Sequence, residues 1–365
     1  MNWNRASRRT VLRGLAATGA TFPVGGCAGV SAIGSGARFD ASQLSEDPRL
    51  LVATTRKPVN GARERPWYGA GRASTTTLAR ATLTRPDEGR FSLASVGLGD
   101  WQLDSVEPAR DVGDLLPQDR PHDLLIYVHG FNQTFEMAAL DAARLSDGVR
   151  FRGDTLMFSW PSKAQLLDYG YDRESAMWSR DALERVLDQL MMSPAVGRIH
   201  VVAHSVGTML TMEALRQLNA RRSDAVAEKV GSIVFASPDI DMDVFSSSVE
   251  RIGPLAAKIT VVTATNDRAL ALSRLIAGGV TRVGAAEKAQ LEGLGLRVID
   301  ASQQSWGIIN HDLFLSNGNI RKAIRDAIGG PPRIGGFAMP SIQMGGSLAP
   351  PEGAQAAPPA GSNFR

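Results

Sequence analysis

Ser205 stands where a hydroxyl could serve as a nucleophile. It follows the β-branched run Ile199-His200-Val201-Val202-Ala203 and lies between His204 and Val206, with Gly207 just beyond. An amphipathic helix is expected to begin near Val206. A serine at such a strand-to-helix junction lies by a helix N-terminus, whose partial positive charge and unpaired N–H groups favour a developing anion. To attack a carbonyl it needs a base, and the base needs an acid to orient it. The chain has five histidines: His122, His129, His200, His204 and His311. Carboxylates follow apolar runs at Asp239, Asp241 and Asp267. A second apolar run, Leu124-Leu125-Ile126-Tyr127-Val128, leads into His129-Gly130-Phe131, where the glycine permits a backbone shape that other residues resist. These residue types point to acyl transfer through a serine.

Something must hold these residues together. Short apolar runs at 50–55, 75–84, 123–128, 155–159, 199–203, 232–236, 259–264 and 296–300 read as strands. The second alternates threonine with apolar residues, as a half-solvated edge strand does. Helical spacing separates the later runs. Over 176–191, Ala176, Leu183, Val186, Leu187 and Leu190 share one face, and 267–277 and 320–328 also read as helices. This alternation predicts an α/β fold with a mostly parallel central sheet and helices on both faces, with its chemistry at the carboxyl ends of the strands. On that plan His200 is a core residue inside a strand and His122 an exposed loop residue. His204, by strand alternation, points away from its neighbour Ser205.

The segment Ala203-His204-Ser205-Val206-Gly207 resembles the nucleophile elbow of the α/β-hydrolases, with Ala203 where the usual motif has glycine. The resemblance implies Ser205 as nucleophile and the Val206 N–H as one oxyanion donor. His129-Gly130-Phe131 is similar to the loop that supplies the other donor, here the N–H of Phe131, with His129 holding the loop's shape. In that superfamily the chain order is nucleophile, acid, histidine, and His311 is the only histidine after Ser205. The acid is implied to be Asp267, with Asp239 and Asp241 as alternatives; if Asp267 serves, those two read as capping or loop-bracing residues. Further strings, Ala53-Thr54-Thr55-Arg56-Lys57-Pro58, Phe158-Ser159-Trp160-Pro161-Ser162, Tyr171-Asp172-Arg173-Glu174-Ser175-Ala176 and Ser237-Pro238-Asp239-Ile240-Asp241, resemble a family of bacterial α/β-hydrolases without a settled function. Esterase- or lipase-like cleavage of a small-molecule or lipid ester is what the resemblance implies, with no metal or organic cofactor. A non-catalytic envelope lipoprotein of the same fold is one alternative, and an acyltransferase or peptidase using the same residues is another. With no long insertion for a cap, an open site is expected. Residues 163–171 are either a small lid or a loop packed on the sheet.

Composition narrows the rest. The apolar fraction of 43% and charged fraction of 21% are globular values. The formal charge of +3 becomes −1 once Arg5, Arg8, Arg9 and Arg13 are set aside, so no basic footprint for nucleic acid remains. Those arginines lie in a segment, 1–27, that resembles a twin-arginine export signal. Its end, Val24-Gly25-Gly26-Cys27, resembles a lipobox, and Cys27 is the sole cysteine. Lipidation at Cys27 would place the protein in the cell envelope, held on a membrane surface. Residues 28–48 read as a tether and 49–330 as the hydrolase domain. Residues 331–365, with seven prolines and six glycines, read as a disordered tail.

Overall fold

A computed structural model describes residues 49–85, 101–117, 121–276, 278–303 and 311–329. The expected signal, tether and tail, and Cys27 with them, lie outside the described residues. Among the described residues nine strands make one sheet: β1 (Arg49–Pro58), β2 (Tyr68–Thr84), β3 (Gln102–Ala109), β4 (His122–Val128), β5 (Asp154–Ser159), β6 (Val196–His204), β7 (Val230–Ala236), β8 (Ile259–Thr263) and β9 (Arg297–Asp300). Their order is β3-β2-β1-β5-β4-β6-β7-β8-β9. The β1–β2 and β2–β3 pairs are antiparallel, and every other pair is parallel. The helices are α1 (Val112–Leu115), α2 (Phe135–Val149), α3 (Tyr169–Trp178), α4 (Arg180–Met192), α5 (Val206–Lys229), α6 (Met242–Ile252), α7 (Arg268–Ile276), α8 (Lys288–Glu292), α9 (Leu313–Ser316) and α10 (Gly318–Gly329).

The central strands are apolar on both faces because both faces are covered. Strand alternation divides their side chains between two cores. Leu124, Ile126, Val128, Val201, Ala203, Ile233 and Phe235 pack on one side with residues of α4, α5 and α6. Leu125, Tyr127, Val202, Val234 and Ala236 pack on the other with residues of α2, α9 and α10. No helix among the described residues is long and apolar enough to cross a membrane.

Three expectations need correction. The strand expected at 75–84 is not an edge: β2 starts at Tyr68, and β3 pairs along its outer side. β3 escapes the apolar-run signal because it is the true edge. Its sequence QLDSVEPA buries little beyond Leu103 and Val106, and an edge tolerates its proline. The single helix expected over 176–191 is two, parted at the fully buried Ser179. There the serine hydroxyl donates back to the Ser175 carbonyl at 2.8 Å and meets the Thr55 hydroxyl at 2.9 Å, a pattern that bends helices. His122 is not an exposed loop residue either. It opens β4, half-buried, with its N–H on the Ala195 carbonyl at 2.9 Å.

Phe235 lies fully buried on β7, an interior strand, its ring 6.3 Å from that of Phe245 on α6. Truncating it removes the ring and leaves a cavity that rigid strands cannot close. Phe235→Ala is expected to lower stability by about 3–5 kcal/mol, measured as a lower urea midpoint with an unchanged slope.

Candidate active site

β6 ends at His204, α5 begins at Val206, and Ser205 is the whole turn between them. Its backbone sits at φ 51°, ψ −123°. An L-residue other than glycine, asparagine or aspartate rarely adopts a positive φ, and holding one there costs about 1–3 kcal/mol. Backbone hydrogen bonds offset the cost. The Ser205 N–H donates to the Ala236 carbonyl at 3.0 Å, and the Ser205 carbonyl accepts from the N–H groups of Thr208 at 3.0 Å and Asp239 at 3.3 Å. Small neighbours make room. A Cβ on Gly207 would lie 2.3 Å from the His129 carbonyl oxygen, and one on Gly130 would lie 2.9 Å from the Ser205 Cβ. The loop after β4 and the turn after β6 are therefore in direct contact.

Asp267 lies just before α7 and His311 just before α9. The His311 Nδ1 and the Asp267 Oδ2 are 2.7 Å apart, with the carboxylate wholly buried and the imidazole 15% exposed. The second carboxylate oxygen of Asp267 accepts from the N–H groups of Ala269 at 2.9 Å and Leu270 at 3.1 Å. Burial alone would lower the pKa of His311. The hydrogen bond it donates to Asp267 and that carboxylate's charge, with Asp312 and Asp239 adding, outweigh burial, and the net shift is upward. Among the described residues no hydrogen bond joins the Ser205 hydroxyl to His311. Such bonds are often long before substrate binds. The N–H groups of Phe131 and Val206 have no acceptor among the described residues.

The alternative carboxylates are engaged elsewhere. Asp239 is buried, accepting from Tyr169 Oη at 2.7 Å and Ser273 Oγ at 2.6 Å, with the Arg282 Nε at 3.2 Å. Asp241 caps α6 through the N–H groups of Asp243 and Val244.

His129 is fully buried, with its ring stacked on Trp160 at 4.7 Å. Its Nδ1 faces the Gly130 carbonyl at 2.8 Å, and its Nε2 accepts from the Trp160 N–H at 3.1 Å. Burial, and then the charge of Arg56, hold its pKa well below the usual histidine value. A neutral ring with both nitrogens occupied shapes the loop and has none left to act as a base. His200 is buried and meets Ser232 at 2.9 Å.

His204 departs from expectation, since it does not point away from the site. It shares its sheet face with Val202, and the chain at His311 crosses that same face before entering α9. The two histidine rings are 4.6 Å apart, and the His204 Nε2 reaches the His311 carbonyl at 3.3 Å. Burial, then repulsion from His311, keep its pKa well below the usual value. Ser205 is only 3% exposed, and Gly130 lies directly against it. In the 163–171 stretch, Leu166 and Leu167 stand 68% and 100% exposed on a 3₁₀ turn, while Tyr169 packs inward.

Two residues to which sequence reasoning assigns no role hold the loop after β4. Arg56 is fully buried in β1, where the pairing with β2 is irregular on either side of it, and such irregularity re-aims a side chain. It donates to the carbonyls of Gln133 at 2.7 Å and Ser162 at 3.0 Å and to Ser159 Oγ at 2.8 Å. Burial lowers its pKa to about 10, against the opposing pull of Asp172. Asp172, also fully buried, accepts from Ser162 Oγ and from the N–H groups of Lys163 at 2.9 Å and Asn132 at 3.4 Å. An arginine ending an apolar strand run is the signal that could have marked this site.

A strained serine after a central parallel strand, followed later in the chain by a buried carboxylate–imidazole pair that packs on the preceding His204, fits an α/β-hydrolase arrangement. The chain belongs to a family described as alpha/beta hydrolase of unknown function (DUF900), whose profile matches residues 105–327, more than half of the chain. An uncharacterized protein of Nostoc sp. is 38% identical over 61 residues, which span 17% of this chain and only 16% of that protein. Among solved structures, the Pyrobaculum calidifontis esterase is similar at 14% identity and a TM-score of 0.34, over 69% of this chain and 81% of that one. Est1E from Butyrivibrio proteoclasticus is similar at 14% identity and a TM-score of 0.36, over 69% and 95%. Likeness at that level does not define a chemistry.

The site makes a testable electrostatic statement. His311 should titrate above the ordinary histidine pKa of about 6.5, and in Asp267→Asn below it, since burial then acts without its counterweight. The sign for stability follows. A raised folded-state pKa stabilises fully below the unfolded value, and this contribution is lost as pH rises through the folded value. NMR titration of the His311 ring in both proteins checks the order; the same pKa in both would remove Asp267 from the site.

Proposed function

We propose that the protein is a serine-dependent hydrolase of carboxylic esters. The observation that carries this reading is Ser205 held at φ 51°, ψ −123° directly after His204, whose ring lies 4.6 Å from that of His311, with the His311 Nδ1 2.7 Å from a buried carboxylate. In this reading Ser205 attacks the acyl carbon while the His311 Nε2 removes its proton. Asp267 orients the ring and stabilises the imidazolium. The N–H groups of Phe131 and Val206 receive the oxyanion, and Arg56 and Asp172 keep the first of these donors in place. His311 returns the proton to the leaving alcohol, and water then releases the acid from the acyl-enzyme.

We further propose that Cys27 carries a lipid anchor in the cell envelope. The support is in the sequence, where the only cysteine directly follows Val24-Gly25-Gly26 behind an arginine pair.

A fluorophosphonate probe is expected to label the wild type and not Ser205→Ala. Asp267→Asn should cut ester turnover by orders of magnitude, about 10⁴ by the precedent of serine proteases, and Asp239→Asn by much less. Equal labelling of wild type and Ser205→Ala would refute the nucleophile, and the reverse ranking of the two aspartates would move the acid to Asp239. A folded, unlabelled wild type would favour the non-catalytic scaffold.

A further inference from the structure

Arg173 is a charge without a counter-charge at the edge of this site. It lies on α3, one turn after Tyr169, and is half-buried. Its Nη1 lies 3.4 Å from the Tyr169 hydroxyl and its Nη2 3.4 Å from the Met209 sulfur. Both acceptors are neutral, and a guanidinium has five N–H donors to satisfy. No carboxylate of the described residues pairs with it. Its neighbour Asp172 is turned towards Ser162 and Lys163. Asp239, reached through Tyr169, already accepts two hydroxyl donors and faces Arg282. The group therefore keeps a surplus of one positive charge.

Three contacts fix where that charge lies. Met209 is four residues past Ser205 on α5, about 6 Å along a helix axis. The Tyr169 ring meets Phe131 edge-on, with centroids 5.3 Å apart. Tyr169 also bonds to Asp239, whose N–H donates to the Ser205 carbonyl. Phe131, Tyr169 and Met209 thus form a mostly apolar wall beside the nucleophile, with the guanidinium set into it. Partial desolvation makes a charge there costly unless a ligand matches it. A guanidinium's planar fork fits a carboxylate with two parallel hydrogen bonds. One positive charge also balances one carboxylate, whereas a phosphate monoester carries nearly two.

We propose that Arg173 is a specificity residue that binds a carboxylate on the substrate, so that preferred substrates are esters bearing an ionised carboxyl group a few bonds from the scissile carbonyl. This rests on the reading of Ser205 as the nucleophile.

The test compares kcat/KM on matched esters of the full chain. Mono-4-nitrophenyl glutarate and 4-nitrophenyl butyrate place the carboxylate on the acyl side. 4-Butyryloxybenzoate and its methyl ester place it on the leaving side. The wild type is expected to favour one anionic member over its neutral partner by about tenfold or more, the scale of a hydrogen bond to a charged group. Arg173→Met should bring that ratio close to one, mainly through KM, and Arg173→Lys should restore part of it. Added salt should erode the preference. Thermal unfolding of each variant separates a lost contact from a lost fold, and the wild-type ratios test the claim without any variant. Ratios of one or below in both pairs would overturn the role of Arg173 and leave the nucleophile standing. So would fluorophosphonate labelling of Ser205 with no turnover of either anionic ester. A wild type that neither labels nor turns over any ester would overturn the nucleophile, and this proposal with it.

Discussion

The backbone of Ser205 is the constraint on which the site depends. A side chain at φ 51° is unfavourable, and the turn persists because its surroundings over-determine it. The Ala236 carbonyl on β7 fixes the Ser205 N–H, while Asp239 and Thr208 fix its carbonyl. Ala236 and Asp239 are within reach because β6 and β7 pair in parallel, with His204 beside Ala236, while Thr208 follows Ser205 in α5. The turn thus draws its stability from the two-sided apolar core, which offsets the strain of presenting one hydroxyl. Gly207 and Gly130 are the spatial condition, since backbone or side-chain atoms occupy the places where a Cβ would stand.

Around that turn the three histidines take different electrostatic roles by environment alone. His129 and His204 are buried without a carboxylate hydrogen bond, and both are held neutral. His311 is also taken out of water, but Asp267 faces its Nδ1 and raises its proton affinity. The ring nearest Ser205 in sequence is therefore held neutral, and the one most remote in sequence has the raised proton affinity. Arg56 obeys the same rule for buried charge. Its desolvation is offset by carbonyls of two loops, which joins the segment after β4 to the one after β5.

Much of this is legible in the sequence because it is local. An apolar run of five or six residues is enough to mark a buried parallel strand, and a serine between small residues at such a strand's end marks a strained turn. His311 is reachable through chain order, and the geometry sets it against Asp267. What escapes is non-local or irregular. β3 has too few apolar residues to show as a strand and exists because β2 offers it an edge. The break at Ser179 depends on a hydroxyl meeting Thr55, 124 residues away. Arg56 gains its role from an irregular pairing of β1 with β2 that no periodicity reveals. The orientation of His204 escapes because alternation gives the face and says nothing of which later segment crosses it.

The central claim is that Ser205, His311 and Asp267 act as one unit. Turnover of one ester by Ser205→Ala, His311→Ala and the double variant tests it most directly. Residues that serve a single proton transfer are strongly non-additive, so the double variant should be no slower than the slower single one. Losses that multiply would mean that the two side chains act independently, and Ser205 and His311 would then not share a proton.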